Sequence, residues 1–281
     1  MIDWAEVVER AVQLILAYNE QGIKPTLRQI HYRLASEQVG GYTNTQTSYK
    51  GLSQKLVEAR MNGLVPWNSL ADHVRYRYWY KLKPFEEFSP YKILEDEIYY
   101  YGKDPWSTAN KQVVIWLEKD ALAELVWSSI GELYVPLCIS RGYSSWTFIY
   151  DNKDLLNSNT TVLYLGDYDP SGLDIERFTH EAMEYFGLDF RFKRLALTYE
   201  QIQRYNLLPN PTKKADPRAR EYISKYGDKC WELDALEPRI LQAIVGSAVE
   251  AELDKSLLSK VEQENQEQRE RILKNLRRRL K

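Results

Sequence analysis

The 281-residue sequence predicts an α/β protein, with a helical N-terminal module followed by a mainly parallel sheet. Two observations predict the sheet. Short apolar runs recur at 113–117, 135–139, 161–166 and 190–195, and segments with helical character separate them. Strands of that length alternating with helices build parallel sheets through right-handed crossovers. The second observation is where acid falls. The run Leu163-Tyr164-Leu165 ends in Gly166-Asp167-Tyr168-Asp169-Pro170-Ser171-Gly172, and Val113–Leu117 ends in Glu118. Ligands of open α/β sheets bind at the carboxyl ends of strands, where these acids lie.

The elements follow in order. Asp3 is placed to cap a first helix whose apolar positions are Val7, Val8, Ala11, Val12, Leu14, Ile15 and Tyr18, and Gly22 ends it. Thr26 caps a second helix with Leu27, Ile30 and Leu34 on one face. Gly40-Gly41 breaks the chain. Thr45–Met61 makes a third helix with Tyr49, Leu52, Leu56 and Ala59 inward, and Leu64–Trp67 is the candidate for a short wing strand. Three helices and a strand resemble a winged helix-turn-helix of the CAP-like kind, whose third helix faces the DNA groove. Residues 1–75 are assigned to this module.

Residues 76–110, rich in Tyr, Trp, Lys and Pro, read as a linker. Its Tyr76, Tyr78, Trp79 and Tyr80 suit either stacking on bases or buried contact between domains. Residues 111–248 form the sheet domain, with helices expected near 119–131, 146–156 and 171–186, a short helix after Thr198, and a loop at Pro209–Pro217. Residues 249–281 form a charged C-terminal helix. Its interrupted apolar positions favour docking to a partner or to the second protomer over a long coiled coil, and Arg277-Arg278-Arg279 suits either DNA phosphates or a frayed end.

Composition narrows the partners. A formal net charge of -2 argues against a uniformly basic nucleic-acid binder, but the charge is unevenly spread. Between Lys24 and Lys83 ten Lys/Arg face three Asp/Glu, the balance of a basic module joined to an acidic one. Two cysteines, Cys138 and Cys230, make no disulfide framework and fit a reducing compartment. No apolar run is long enough to span a membrane, and the N-terminus lacks the basic region of a signal peptide. The expected location is the cytoplasm, with nucleoid association.

Glu118, Asp167 and Asp169 form the expected metal site. Mg²⁺ takes a few carboxylates and keeps waters for substrate phosphates, with Mn²⁺ as the alternative ion. An isolated Asp-x-Asp before Pro170 would do no more than cap a helix; the combination with Glu118 and two apolar strands points further.

These residues resemble a Toprim domain, whose signature is a Glu after one strand and Asp-x-Asp after a later one. The Gly-Asp-x-Asp-Pro-x-Gly form is similar to the A subunit of topoisomerase VI and its relative, the meiotic double-strand-break transesterase. Arg141-Gly142-Tyr143-Ser144-Ser145 and Trp231-Glu232-Leu233-Asp234-Ala235-Leu236 also resemble that family's pattern. So does Thr26-Leu27-Arg28-Gln29-Ile30-His31-Tyr32, which matches a Thr-x-Arg-x-x-Tyr-Tyr motif with His31 in place of the first tyrosine. Residues 49–67 resemble the continuation of that domain in compact, stand-alone relatives.

The resemblance implies a fold of a winged helix plus a Rossmann-like Toprim domain. It implies Tyr32 as nucleophile on a phosphodiester of double-stranded DNA, forming a 5′-phosphotyrosine link. A tyrosine hydroxyl ionises near pH 10 and needs a positive neighbour. Arg28, one helical turn away, would supply that charge or clamp the phosphate. Glu118 would be metal ligand or general acid. His31, Lys50, Lys55, Arg60 and Arg141 are the candidate DNA contacts; for Arg141 a surface salt bridge fits equally. One tyrosine cuts one strand, so a double-strand break implies a homodimer, with the tyrosine of one subunit meeting the metal site of the other. A full topoisomerase cycle implies a separate ATPase subunit, since the chain has no phosphate-binding loop. Two other readings stand: a Toprim nuclease using metal-activated water, and a non-catalytic winged-helix DNA-binding protein.

Overall fold

The structure is a computed structural model that describes residues 2–71, 89–187 and 189–279. The aromatic cluster Tyr76, Tyr78, Trp79 and Tyr80 lies outside the described residues.

Three capped helices form the N-terminal module. α1 (Trp4–Asn19) begins at Asp3, whose carboxylate accepts from the amides of Ala5 and Glu6 at 3.0 and 3.3 Å. α2 (Leu27–Glu37) opens with a capping box in which Thr26 and Gln29 each accept from the other's backbone amide. α3 (Gln46–Met61) follows the Thr45 cap and buries Leu52, Leu56 and Ala59. The expected strand at 64–67 is absent: these residues form turns, with Val65 buried and Leu64 and Trp67 exposed. Pro66 has no amide to give, and no strand lies alongside among the described residues. The nearest approach to pairing is an isolated parallel bridge between Thr26 and Ala71.

Within 89–110 the chain forms α4 (Pro90–Glu97) and the single turn α5 (Pro105–Thr108). The sheet comprises β1 (Gln112–Leu117), β2 (Leu137–Ile139), β3 (Thr160–Leu165) and β4 (Arg191–Ala196), all parallel in the order β2-β1-β3-β4. Between them run α6 (Ala123–Ile130), α7 (Trp146–Asp151) and α8 (Pro170–Tyr185). After β4 come α9 (Tyr199–Arg204), α10 (Ala219–Tyr226), α11 (Pro238–Glu252) and α12 (Lys255–Arg279). The expected single C-terminal helix is two, parted at Leu253-Asp254, where Leu253 is extended and Asp254 accepts from the amides of Ser256 and Leu257.

Alternation along the central strands sends side chains to two cores. Val113, Ile115, Leu117, Leu163 and Leu165 share an apolar cluster with Val126, Ile130, Leu241 and Val245 of α6 and α11. Val114, Trp116, Val162 and Tyr164 pack on the other face with Ile149, Ile175, Ala182 and Met183 of α7 and α8. β1 and β3 are therefore covered on both faces, as a parallel sheet requires. The first cluster continues without a break into Val7, Ile15, Ile30 and Leu52, so the helical module and one face of the sheet share a core.

α12 is held to 89–110 by Asn265. Its side chain accepts from the Lys103 amide at 2.8 Å and donates to the Lys103 carbonyl at 2.9 Å. Arg269 donates to the carbonyls of Tyr99 and Tyr101. These contacts lie within the chain, whereas the interrupted apolar pattern leads one to expect docking to a partner or to a second protomer.

Candidate active site

The carboxyl ends of β1 and β3 lie side by side, with the Glu118 amide donating to the Leu165 carbonyl at 2.9 Å. The Glu118 carboxylate then folds over Gly166 and accepts from the Asp167 amide at 3.2 Å. A β-carbon at residue 166 would lie 2.6 Å from Glu118 Oε2 and 2.6 Å from the Tyr164 ring, so glycine is what admits the carboxylate here. Gly172 has a similar role, because a β-carbon there would sit 2.4 Å from the Asp167 carbonyl oxygen.

The turn after β3 separates the two aspartates. Asp169 caps α8, accepting from the Gly172 amide at 2.6 Å. Asp167 points the other way and accepts from the Leu233 amide at 2.7 Å. Two antiparallel bridges, Tyr168 with Trp231 and Asn210 with Cys230, pin segment 230–234 between this turn and the loop at 210. They bring Glu232 and Asp234, a second acid pair at i, i+2 spacing, to Asp167.

Lys119 ties these acids together. Its Nζ lies 2.6 Å from Asp234, 3.0 Å from Asp167 and 3.2 Å from Glu232. Burial alone would depress its pKa, but the three carboxylates outweigh burial and hold it well above the usual lysine value. Glu118 stands outside this arrangement and forms no ion pair among the described residues. Burial first, and the charge of Asp167 second, push its pKa up to about 7.

Tyr32 of α2 reaches the same cluster within one chain. Its hydroxyl accepts from Asn210 Nδ2 at 2.7 Å, and that nitrogen lies 3.4 Å from Glu232 Oε1. Asn44 holds the Asn210 amide by donating to its Oδ1 at 2.9 Å. Arg28 pairs with Glu232 and lies 5.5 Å over the Tyr49 ring. Tyr32 is only 5% exposed, and burial, then the charge of Glu232, push its hydroxyl above the usual tyrosine pKa. Asn210 and Arg28 oppose that shift without cancelling it. The ring also borders a cavity of about 100 Å³ with Arg33, Leu208 and Glu237, well short of the roughly 300 Å³ where small-molecule pockets begin.

The other candidate residues spread out. His31 is buried, with Nδ1 2.8 Å from the Tyr42 hydroxyl and Nε2 2.9 Å from Asn44 Oδ1, so it braces α2 from inside. Lys50 is exposed on α3. Lys55 pairs with Glu58 at 2.7 Å, and Arg60 lies 5.5 Å over the Trp67 ring. Arg141 meets Asp120 at 3.3 Å with its side chain 59% exposed, the surface salt bridge that was one of its two readings.

Sequence reasoning missed Lys119, Asn210 and the roles of Glu232 and Asp234. The signal for the last two was present: Glu232-Leu233-Asp234 repeats the acid spacing of Asp167-Tyr168-Asp169. Nothing in the sequence marked Asn210.

Among the described residues no three His, Cys, Asp or Glu converge into a metal-binding cage. Glu118 and Asp167 nevertheless suit Mg²⁺, which binds through one or two carboxylates and keeps its waters. The buried Glu118, whose pKa the charge of Asp167 helps to raise, presents with Asp167 the negative charge that such an ion would offset. No family model matches the chain, and no curated protein matches it.

Proposed function

We propose that this protein is a Mg²⁺-dependent DNA-strand-breaking transesterase resembling the topoisomerase VI A subunit. The observation that carries the reading is the path of hydrogen bonds and ion pairs Tyr32–Asn210–Glu232–Lys119–Asp167. It connects the one tyrosine matched by the family motif to the carboxylates at the sheet edge.

In this reading the Tyr32 oxygen bonds to the phosphorus as the bond to the 3′ oxygen breaks. A 5′-phosphotyrosine and a free 3′-hydroxyl result. Asn210 stabilises the phenolate by donating to its oxygen. Arg28 exchanges Glu232 for the scissile phosphate, which its planar guanidinium suits. Tyr32 gives its proton to water and water returns one to the leaving 3′ oxygen, so that Glu118 stays ionised and free to hold a cation. Glu118 and Asp167 would hold Mg²⁺, which supplies charge stabilisation to the phosphoryl oxygens when bound. The Tyr32–cluster contact lies within one chain, so a homodimer that exchanges α2 between subunits would replace it with the same contact in trans.

The burial of Tyr32 favours a second reading, a nuclease in which metal-activated water attacks and Tyr32 is structural. Supercoiled plasmid in Mg²⁺ or Mn²⁺, stopped with detergent and run with and without protease, separates the two. Protein-linked breaks lost in both Tyr32→Phe and Asp167→Ala establish transesterification. Protein-free breaks that survive Tyr32→Phe establish the nuclease.

A further inference from the structure

We propose that Lys119 is a tethered cation filling the place of a second metal ion, so that each chain binds one divalent ion rather than two. The inference rests on the metal-site reading of Glu118 and Asp167 given above.

An ammonium has three N–H donors, and Lys119 faces three carboxylates from separate segments at 2.6, 3.0 and 3.2 Å. It donates hydrogen bonds to Glu232 and Asp234 and forms an ion pair with Asp167. No ion can sit among Asp167, Glu232 and Asp234 without displacing it. The second oxygen of Asp167 differs. Oδ1 serves Lys119 and the Leu233 amide, while Oδ2 has no hydrogen bond among the described residues. Glu118, whose carboxylate accepts from the Asp167 amide, has no ion pair among them either.

Charge points the same way. Glu118, Asp167, Glu232 and Asp234 carry four negative charges when ionised. Lys119 and Arg28 return two positive charges, both committed to Glu232 and its neighbours. The remaining deficit of two is spread over the four carboxylates and equals one divalent cation. Asp169 is served separately by the amino terminus of α8. Two-metal phosphoryl-transfer sites place their ions about 3.5–4 Å apart. An ammonium shared with Asp167 supplies a positive charge where the second of such a pair would otherwise sit.

The test is Mn²⁺ binding to the full-length protein, by calorimetry for stoichiometry and by electron paramagnetic resonance for ion–ion coupling. Wild type is expected to bind one Mn²⁺ per chain with the spectrum of an isolated ion. Lys119→Met is expected to bind two, with a coupled spectrum, while Lys119→Arg stays at one. A coupled pair in wild type, or a single ion in a folded Lys119→Met, overturns the inference and leaves the metal site standing. No binding in wild type, or binding unchanged in Glu118→Gln, overturns the metal site and the inference together. If Lys119→Met does not fold, the wild-type spectrum alone decides.

Discussion

Asn210 Nδ2 donates to the Tyr32 hydroxyl at 2.7 Å across 178 residues of sequence. This bond joins the helical module to the loop bridged to the segment that carries the second acid pair, and Asn44 orients it from the module side. Tyr32→Phe removes the hydroxyl but leaves Asn210 with Asn44, and is expected to cost about 1 kcal/mol. Asn210→Ala also takes one acceptor from Asn44, which keeps the Pro209 carbonyl, and is expected to cost about 1–3 kcal/mol. In a double-mutant cycle read by urea unfolding, the two are expected to couple by about 1 kcal/mol. Full additivity would mean that the bond is absent in solution.

Gly166→Ala puts a β-carbon against Glu118 Oε2 and the Tyr164 ring. The Tyr164 ring is fully buried and the Glu118 carboxylate lies against it, so one of them must shift out of place. The expected destabilisation is about 1–3 kcal/mol. Mn²⁺ should no longer raise the unfolding midpoint of this variant. A variant that is as stable as wild type, and as responsive to Mn²⁺, would show that the carboxylate does not lie over the glycine.

The pH dependence follows from Glu118. Its pKa rises from 4.5 to about 7 on folding, so between these values the folded chain binds more protons than the unfolded one. Its contribution therefore lowers stability as pH rises through that window. Glu118→Gln removes the effect, and its stability advantage over wild type should grow between pH 5 and pH 7.5 in metal-free buffer. Urea midpoints at the two pH values check this, and Mn²⁺ should shrink the difference by compensating the ionised carboxylate.

Asn265→Ala leaves the Lys103 amide and carbonyl without their partner in a site where Asn265 is 5% exposed. Each orphaned group costs about 1–3 kcal/mol when buried. Hydrogen exchange should report faster opening of 89–110 and α12, with β1 and β3 unchanged. Uniform loss of protection would instead mean that α12 unfolds together with the sheet.

The strands, the helix caps and the acids at strand ends were legible because each is a local pattern. An apolar run ending in acid needs no knowledge of its neighbours, and Asp3, Thr26, Thr45 and Asp169 cap through bonds to amides two or three residues on. The wing strand failed because a strand exists only with a partner, which sequence does not supply. The break at Leu253-Asp254 was missed because helical periodicity resumes beyond it and hides the interruption.

By itself the sequence determined the parallel α/β class and the placement of Glu118 and Asp167 at adjoining strand ends. It also determined the helical frame that puts Arg28 and Tyr32 on one face. These follow from side-chain period and chain direction, which are local properties. Only the tertiary structure decided that Lys119 sits among Asp167, Glu232 and Asp234, and that Asn210 holds Tyr32. Those contacts join segments 113, 115 and 178 residues apart. Their formation depends on how the 230–234 segment is pinned against the β3 turn by backbone hydrogen bonds, and backbone groups carry no signature in the amino-acid sequence.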